Sequence, residues 1–376
     1  MSNFASIGFH SRVKTDSDAV WRQALGHDHP MKPLRALAAS LGLSLAAGSL
    51  AGLPATAAPN PTPAVQPANV ASPITVSVPL STVDTPGKSG SSSIVRVQLG
   101  ESGRAIRLMV DTGIVGILLW GDTPRGAHMT DRRFNARISG SNVRGFVGEA
   151  PLRISGVATT RNIQFAKIST NNSYIQRWKN LGVSGIIGLG TGSADLTNPL
   201  MSLPGELAQG WSLRFERKNT SAPSQLGAII LGANAPLDAR MHFTLPAAGV
   251  DRNGSEVWDD HAANGCWRFT GGVERCVDTW FDSGFTLMRV KGRAFADLPV
   301  TPAKRLRTGT TVELAAGSSA FYGYRIRAGN KGSRNLVRVI PRGTAVINTG
   351  NSIYFDYIVT YRVDSGDIYL SEKGRP

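Results

Sequence analysis

Cysteine, histidine and charged residues are all scarce in this sequence. Only 2 of its 376 residues are Cys and 6 are His, and Asp, Glu, Lys and Arg together make up 18%. Two cysteines are too few for a typical four-ligand zinc site, and no His-Glu-x-x-His motif occurs. The Gly-x-Ser-x-Gly signal of a serine nucleophile is missing as well. We therefore expect no metal, no organic cofactor and no serine-based hydrolysis.

Long helical patterns are scarce too, whereas turn residues are abundant, with 42 Gly and 21 Pro. Short alternating segments predict strands, which is typical of an all-β protein. These segments are Ile74–Val78, Ile94–Leu99, Ile106–Val110, Phe134–Ile138 and Val143–Val147. Helices are expected only over Pro199 to Gln209 and Arg293 to Leu298. Without a βαβ unit, the glycines of Gly188–Gly192 do not indicate a dinucleotide loop.

The formal net charge of +15 raises the question of nucleic-acid binding. The basic residues form no block of five or six, and they do not interleave with aromatic residues as a single-strand-binding groove requires. The charge therefore indicates a solvated basic surface, and we expect no nucleic-acid partner.

The N-terminal region carries the signals of export. Met31 begins a stretch with two basic residues, followed by a mainly apolar run and the small-x-small sequence Ala55–Ala57. We interpret residues 31–57 as a bacterial Sec signal peptide, 1–30 as an upstream extension from a misplaced start, and 58–73 as a Pro/Ala-rich linker. A membrane anchor is the alternative, but the cleavage sequence favours a secreted or periplasmic protein without an anchor.

The two cysteines, Cys266 and Cys276, have nine residues between them. A three-residue hairpin loop over Thr270–Gly272 would place them opposite each other on adjacent strands, which suits a cross-strand disulfide. Two buried free thiols are the alternative, and export disfavours it.

Two similar triplets, Asp111–Gly113 and Asp282–Gly284, lie 171 residues apart, each after an apolar or aromatic segment. A tight turn after a buried strand can present an Asp side chain into a cleft, while the Thr or Ser hydroxyl ties two such turns together. Two adjacent carboxylates do not both ionise readily, so they share a proton and can act as acid and base. A third triplet, Asp364–Gly366, is interpreted as an ordinary hairpin turn.

Five segments, in order, resemble the signature segments of one family. They are Arg107–Gly113 with Leu119–Trp120 following, Ser184–Gly190, Ala228–Gly232, Asp278–Gly284 and Tyr354–Tyr369. The chain resembles the pepsin-like aspartic peptidases from about residue 75 to residue 373. The resemblance implies an all-β, bilobal acid-protease fold with a few short helices, with an N-terminal lobe over 74–235 and a C-terminal lobe over 236–376.

The resemblance also implies the roles of the site residues. Asp111 and Asp282 would be the catalytic pair of an aspartic endopeptidase acting on peptides or proteins, in a monomer. The supporting residues of the two turns would be Thr112, Gly113, Ser283 and Gly284. The hairpin around the turn Ser139–Asn142 would be the flap over the substrate, with Ser139 and Gly140 as the flap residues.

The sequence departs from the family pattern at several positions. Ile114 and Phe285 stand where the family has a hydroxyl residue that donates to the outer carboxylate oxygen. No Tyr occurs between residues 121 and 173, where the flap tyrosine is expected, and Val346–Gly350 fits poorly to the apolar-apolar-Gly segment of the second lobe. We therefore expect both outer oxygens to lack their donor. A pepsin-fold binding protein with decayed catalysis is the alternative function.

Overall fold

The structure is a computed structural model. It describes residues 74–85, 90–138, 140–217, 227–236, 238–271, 273–317, 323–330, 333 and 335–373. The upstream extension, signal peptide and linker expected over residues 1–73 lie outside the described residues and stay predictions. Within the described ranges, none of the helices has the length and apolar character needed to cross a membrane.

Strands make up about half of the described residues, as the alternating segments predict. Up to residue 235 the strands are β1 (Val76–Asp84), β2 (Ser91–Leu99), β3 (Ala105–Asp111), β4 (Val115–Leu119), β5 (His128–Ile138), β6 (Ser141–Ala150), β7 (Leu152–Ile154), β8 (Val157–Ala158), β9 (Ile163–Ile168), β10 (Gly185–Leu189), β11 (Gly210–Arg214) and β12 (Gly227–Leu231). After it they are β13 (Met241–Thr244), β14 (Ala247–Val250), β15 (Glu256–Trp258), β16 (Ala263–Phe269), β17 (Val273–Trp280), β18 (Met288–Lys291), β19 (Thr311–Ala316), β20 (Tyr324–Arg327), β21 (Val337–Ile340), β22 (Val346–Asn348), β23 (Tyr357–Arg362) and β24 (Asp367–Glu372).

The helices differ from those expected. Helix α1 (Ser173–Asn180) was not predicted; Asn172 caps it by accepting a hydrogen bond from the Ile175 amide at 2.9 Å. A short helix α2 (Ser352–Asp356) precedes β23.

The prediction of a helix over Pro199 to Gln209 is wrong. Two 3₁₀ turns, Pro199–Ser202 and Gly205–Ala208, take its place. Pro204 has no amide hydrogen to continue a helix, and the next residue, Gly205, has a φ of +56°. The helix expected over Arg293 to Leu298 is a single 3₁₀ turn, Arg293–Phe295.

The larger sheet takes strands from both halves of the chain. Its order is β13-β24-β23-β11-β12-β1-β2-β3-β10-β4-β9-β6-β5. β23 and β24 come from the C-terminal end but join the N-terminal strands through β11. The Asp364–Gly366 turn joins β23 to β24, which is the hairpin turn that the sequence predicts.

The second sheet repeats one local arrangement of the first. Its order is β20-β19-β16-β17-β22-β18-β21. In the larger sheet, β10 lies parallel to β3 and antiparallel to β4. In the second sheet, β22 lies parallel to β17 and antiparallel to β18. The two catalytic candidates therefore lie at the ends of equivalent strands, β3 and β17, of a duplicated unit.

A hairpin in the second sheet carries the disulfide. Cys266 on β16 lies opposite Cys276 on β17, and the two are bonded, as the loop spacing predicts.

Replacing both Cys266 and Cys276 with Ser should lower the free energy of unfolding by less than about 3 kcal/mol, because the bond closes a short loop. Urea unfolding of the oxidised protein and of the variant measures the difference. Two freely alkylated thiols in a non-reduced digest of the exported protein would contradict the pairing.

Candidate active site

The side chains of Asp111 and Asp282 meet at the point where the two repeated units face each other. Asp111 is the last residue of β3, and Asp282 follows β17 by two residues. The two side chains are buried, with 6% and 7% of their residue surfaces exposed. Their carboxyl groups lie within hydrogen-bonding reach of each other.

Each carboxyl group is held by its own turn in the same way. The Gly113 amide donates to Asp111 Oδ1 at 2.8 Å, and the Gly284 amide donates to Asp282 Oδ1 at 3.1 Å. This repeated contact closes each Asp-x-Gly turn and aims its carboxyl group at the partner turn.

The two glycines allow a close approach rather than an unusual backbone angle. A Cβ at Gly284 would lie 2.1 Å from Asp111 Cγ, and a Cβ at Gly113 would lie 2.6 Å from Asp282 Oδ1. Each glycine therefore makes room for the carboxyl group of the opposite turn.

Thr112 and Ser283 join the two turns reciprocally. The Thr112 amide donates to Ser283 Oγ and the Ser283 amide donates to Thr112 Oγ1, both at 2.9 Å. Thr112 Oγ1 donates to the Phe281 carbonyl at 2.6 Å, and Ser283 Oγ to the Val110 carbonyl at 3.4 Å. All these groups are buried, so each of the two reciprocal hydrogen bonds between the turns restricts the distance between the carboxyl groups.

A pair of tyrosines that the sequence analysis did not single out lies beneath this connection. The Tyr354 hydroxyl lies 2.9 Å from Thr112 Oγ1 and 2.6 Å from the Tyr361 hydroxyl. It also donates to the Phe281 carbonyl at 2.9 Å. Burial raises the pKa of both tyrosines, so both hydroxyls stay protonated and available as donors.

Asn348 is a further site residue that sequence reasoning missed. Its side-chain amide donates to Asp282 Oδ2 at 2.6 Å. The expectation that both outer oxygens lack a donor is therefore wrong for Asp282, although the hydroxyl residue after the triplet is indeed replaced by Phe285.

The strand register shows how Val346–Gly350 aligns with the first repeat. Asn348 pairs with Arg289, seven residues after Asp282, just as Ile186 pairs with Leu118, seven residues after Asp111. The segment Asn348–Gly350 therefore occupies the place of Ile186–Gly188, so Gly350 aligns with Gly188.

The two carboxyl groups differ electrostatically. Burial, and then the charge of Asp282, raise the pKa of Asp111 well above its usual value. Burial also raises the pKa of Asp282, but the Asn348 amide and the nearby charges of His261 and Arg289 act in the opposite direction. The Asn348 amide, which donates to Asp282 Oδ2, favours the charged form of Asp282 and has no counterpart at Asp111 within the described residues.

The expected flap is a hairpin of β5 and β6. Ile138 pairs with Ser141, so Ser141 and Asn142, which were expected in the turn, belong to β6 instead. Ser139 lies outside the described residues; Gly140 is exposed and has a φ of +83°. No contact within the described part of the chain joins Gly140 to the two carboxyl groups.

Comparison with known proteins identifies the fold. No family model and no curated protein matches the sequence. Among solved structures, the chain is similar to the crystal structure of an aspartic proteinase from Irpex lacteus. The match has a TM-score of 0.55 at 15% identity, and it covers 80% of this chain and 98% of that one. The protein has the all-β, bilobal pepsin-like fold that the resemblance predicts.

Proposed function

We propose that the protein is a divergent bacterial aspartic endopeptidase that hydrolyses peptide bonds with a water molecule activated by Asp111 and Asp282. The observation that carries the proposal is the pair of buried carboxyl groups within hydrogen-bonding reach of each other. Two groups that repel each other at neutral pH are costly to bury, and proton sharing makes the same arrangement useful for acid–base catalysis.

The electrostatic difference between the carboxyl groups assigns their roles. Ionised Asp282 takes a proton from the water, whose oxygen attacks the peptide carbonyl carbon, while Asp111 gives its proton to the carbonyl oxygen. The tetrahedral diol then collapses. The C–N bond breaks, Asp282 gives its proton to the amine nitrogen, and Asp111 takes one proton from a diol hydroxyl. One water is consumed, and the pair ends with the single proton that it had at the start.

The other parts of the proposal concern substrate access and location. The β5–β6 hairpin, with Ser139 and Gly140 at its tip, would cover a bound peptide. Export would follow from the signal sequence over residues 31–57, and the Cys266–Cys276 disulfide is compatible with an oxidising compartment.

A pepsin-fold binding protein is the second candidate. Ile114 and Phe285, which replace the expected hydroxyl residues, favour it. The Asn348 donor on Asp282 favours the enzyme, because a binding cleft has no need of a group that stabilises one carboxylate.

The chain from residue 58 onward should cleave peptides of a broad library in mildly acidic solution and lose activity in strong acid. Catalysis needs the singly ionised pair, and the raised pKa of both carboxyl groups moves protonation of that pair to higher pH. The measurement is kcat/KM against pH, with products identified by mass spectrometry. An optimum in strong acid would contradict the raised pKa values, and a folded chain that cleaves no peptide at any pH would favour the binding protein.

A further inference from the structure

We infer that Asn348 is a positioning residue that makes Asp282 the general base of the pair, by donating its side-chain amide to the outer oxygen of Asp282. This inference rests on the proposed function. It assigns a role to a residue that stands where the first repeat has an apolar side chain, Ile186.

The orientation of the Asn348 amide is fixed by its two partners. Its Oδ1 accepts a hydrogen bond from the Gly350 amide at 2.8 Å, and only an oxygen can accept from that N–H group. The NH₂ group must therefore face Asp282 Oδ2, 2.6 Å away. The reversed amide would place two hydrogens at the Gly350 N–H group and an oxygen against a carboxylate.

The backbone holds Asn348 in this position. Gly350 has a φ of +61°, and a Cβ at that residue would lie 2.6 Å from the Leu287 carbonyl carbon. The tight turn thereby directs the Gly350 amide back at the Asn348 side chain. Asn348 itself is 8% exposed, so its bond to Asp282 is shielded from water.

The two repeats differ at the position of Asn348 in the donor that they offer to the aspartate. Ile186 is fully buried and offers no donor, whereas Asn348, at the equivalent register, donates to its aspartate. Asp111 accepts from backbone amides, and the one side-chain hydrogen-bond partner found for it within the described ranges is Asp282. A hydrogen bond to the charged form of a carboxyl group favours that form, so the charge is directed to Asp282.

Other groups also face Asp282, and they stay in place when Asn348 is changed. Asp111 comes from β3, His261 from the loop before β16, and Arg289 from β18. The Arg289 guanidinium lies 4.4 Å from the centre of the Phe285 ring, and the Tyr354 hydroxyl lies beneath the turn. A variant of Asn348 alone therefore isolates the contribution of the amide.

The test compares Asn348→Leu with Ile347→Val. Leu has nearly the shape of Asn but no donor. Ile347 is buried on the same strand. The change Ile347→Val removes one methylene group and leaves the Asn348 side-chain amide intact. In Asn348→Leu we expect the acidic limb of the pH profile of kcat/KM to move up by about one to two pH units. That shift corresponds to the usual strength of a hydrogen bond to a charged group. In Ile347→Val the limb should not move.

A second readout does not depend on turnover. In a protein labelled with ¹³C at the Asp side chains, the Asp282 signal should titrate at higher pH in Asn348→Leu than in the unchanged chain. Asn348→Ala is made in parallel, in case Leu prevents folding. If the unchanged chain cleaves no peptide but the NMR shift occurs, the proposed function and the general-base role fail, whereas the effect of Asn348 on the charge of Asp282 stands. A folded variant with an unmoved Asp282 titration overturns the inference.

Discussion

Asp111→Asn and Asp282→Asn should each reduce kcat/KM by on the order of 10⁴-fold or more, while leaving a folded chain. An amide cannot replace the carboxylate that takes a proton from water, and the singly ionised pair no longer forms when one member does not titrate. The reciprocal bonds of Thr112 and Ser283 do not involve the carboxyl groups, so the site keeps its shape.

The same two variants should be more stable than the unchanged chain near neutral pH. The pKa of both carboxyl groups is raised by burial, so the folded chain binds these protons more tightly than the unfolded chain. The pair therefore lowers stability as the pH rises above about 4, the usual value for Asp, and adds no such cost below it. Thermal unfolding at neutral and at low pH measures the difference; each kcal/mol gained raises Tm by about 1.5 °C in a protein of this size.

A matched control is Asp364→Asn, in the third Asp-Ser-Gly sequence of the chain. Asp364 is exposed in the β23–β24 turn and pairs with Arg362. Its change should leave peptide turnover unaltered and should not raise Tm at neutral pH. Undiminished turnover in either Asp111→Asn or Asp282→Asn would exclude the paired-carboxyl mechanism.

Gly284→Ala should reduce kcat/KM by roughly 10³-fold, although the substitution adds only one methyl group. The new Cβ would overlap the Asp111 carboxyl group, lying 2.1 Å from both its carbon and its Oδ2. Either the Asp111 carboxyl group or the turn must move, and a displacement of about 1 Å in an active site can cost on the order of 10²-fold by itself. The disturbed pairing of the two carboxyl groups adds to that loss.

Gly121→Ala is the control for the added methyl group. A Cβ at Gly121 would lie 3.5 Å from Ser184 Cβ, an ordinary contact distance, and Gly121 is not in the left-handed region. Kinetics and circular dichroism of both variants separate a local effect from unfolding. Equal activity of the two folded variants would show that the carboxyl groups are not held as close as the structure places them.

Local patterns predict the strands and the two Asp turns, whereas the resemblance to the pepsin-like peptidases predicts the bilobal fold. Alternating segments indicate strands, and the duplicated triplets at Asp111 and Asp282 indicate equivalent turns. The helix over Pro199 to Gln209 was predicted wrongly because the helical spacing of Leu200, Leu203 and Leu207 was given more weight than Pro204.

Asn348 was missed for a different reason. It lies 66 residues from Asp282 in the sequence, and the register of β22 against β17 and β18 brings the two together. The comparison between repeats aligned apolar residues, and Asn348 departs from that pattern at the position where it contacts the site. A polar residue at an otherwise apolar position, next to Thr349 and Gly350, was the available signal.

Binding of a transition-state analogue tests the central claim most directly. The probe is a peptide that the chain binds or cleaves, with a secondary alcohol in place of the scissile carbonyl, so that it resembles the tetrahedral intermediate. An enzyme binds such an analogue more tightly than the parent peptide, by at least roughly 10²-fold, whereas a binding cleft does not distinguish them. Calorimetry at mildly acidic pH should show that preference in the unchanged chain and its loss in Asp282→Asn. Equal affinity for the alcohol and the parent peptide in the unchanged chain would contradict catalysis by Asp111 and Asp282.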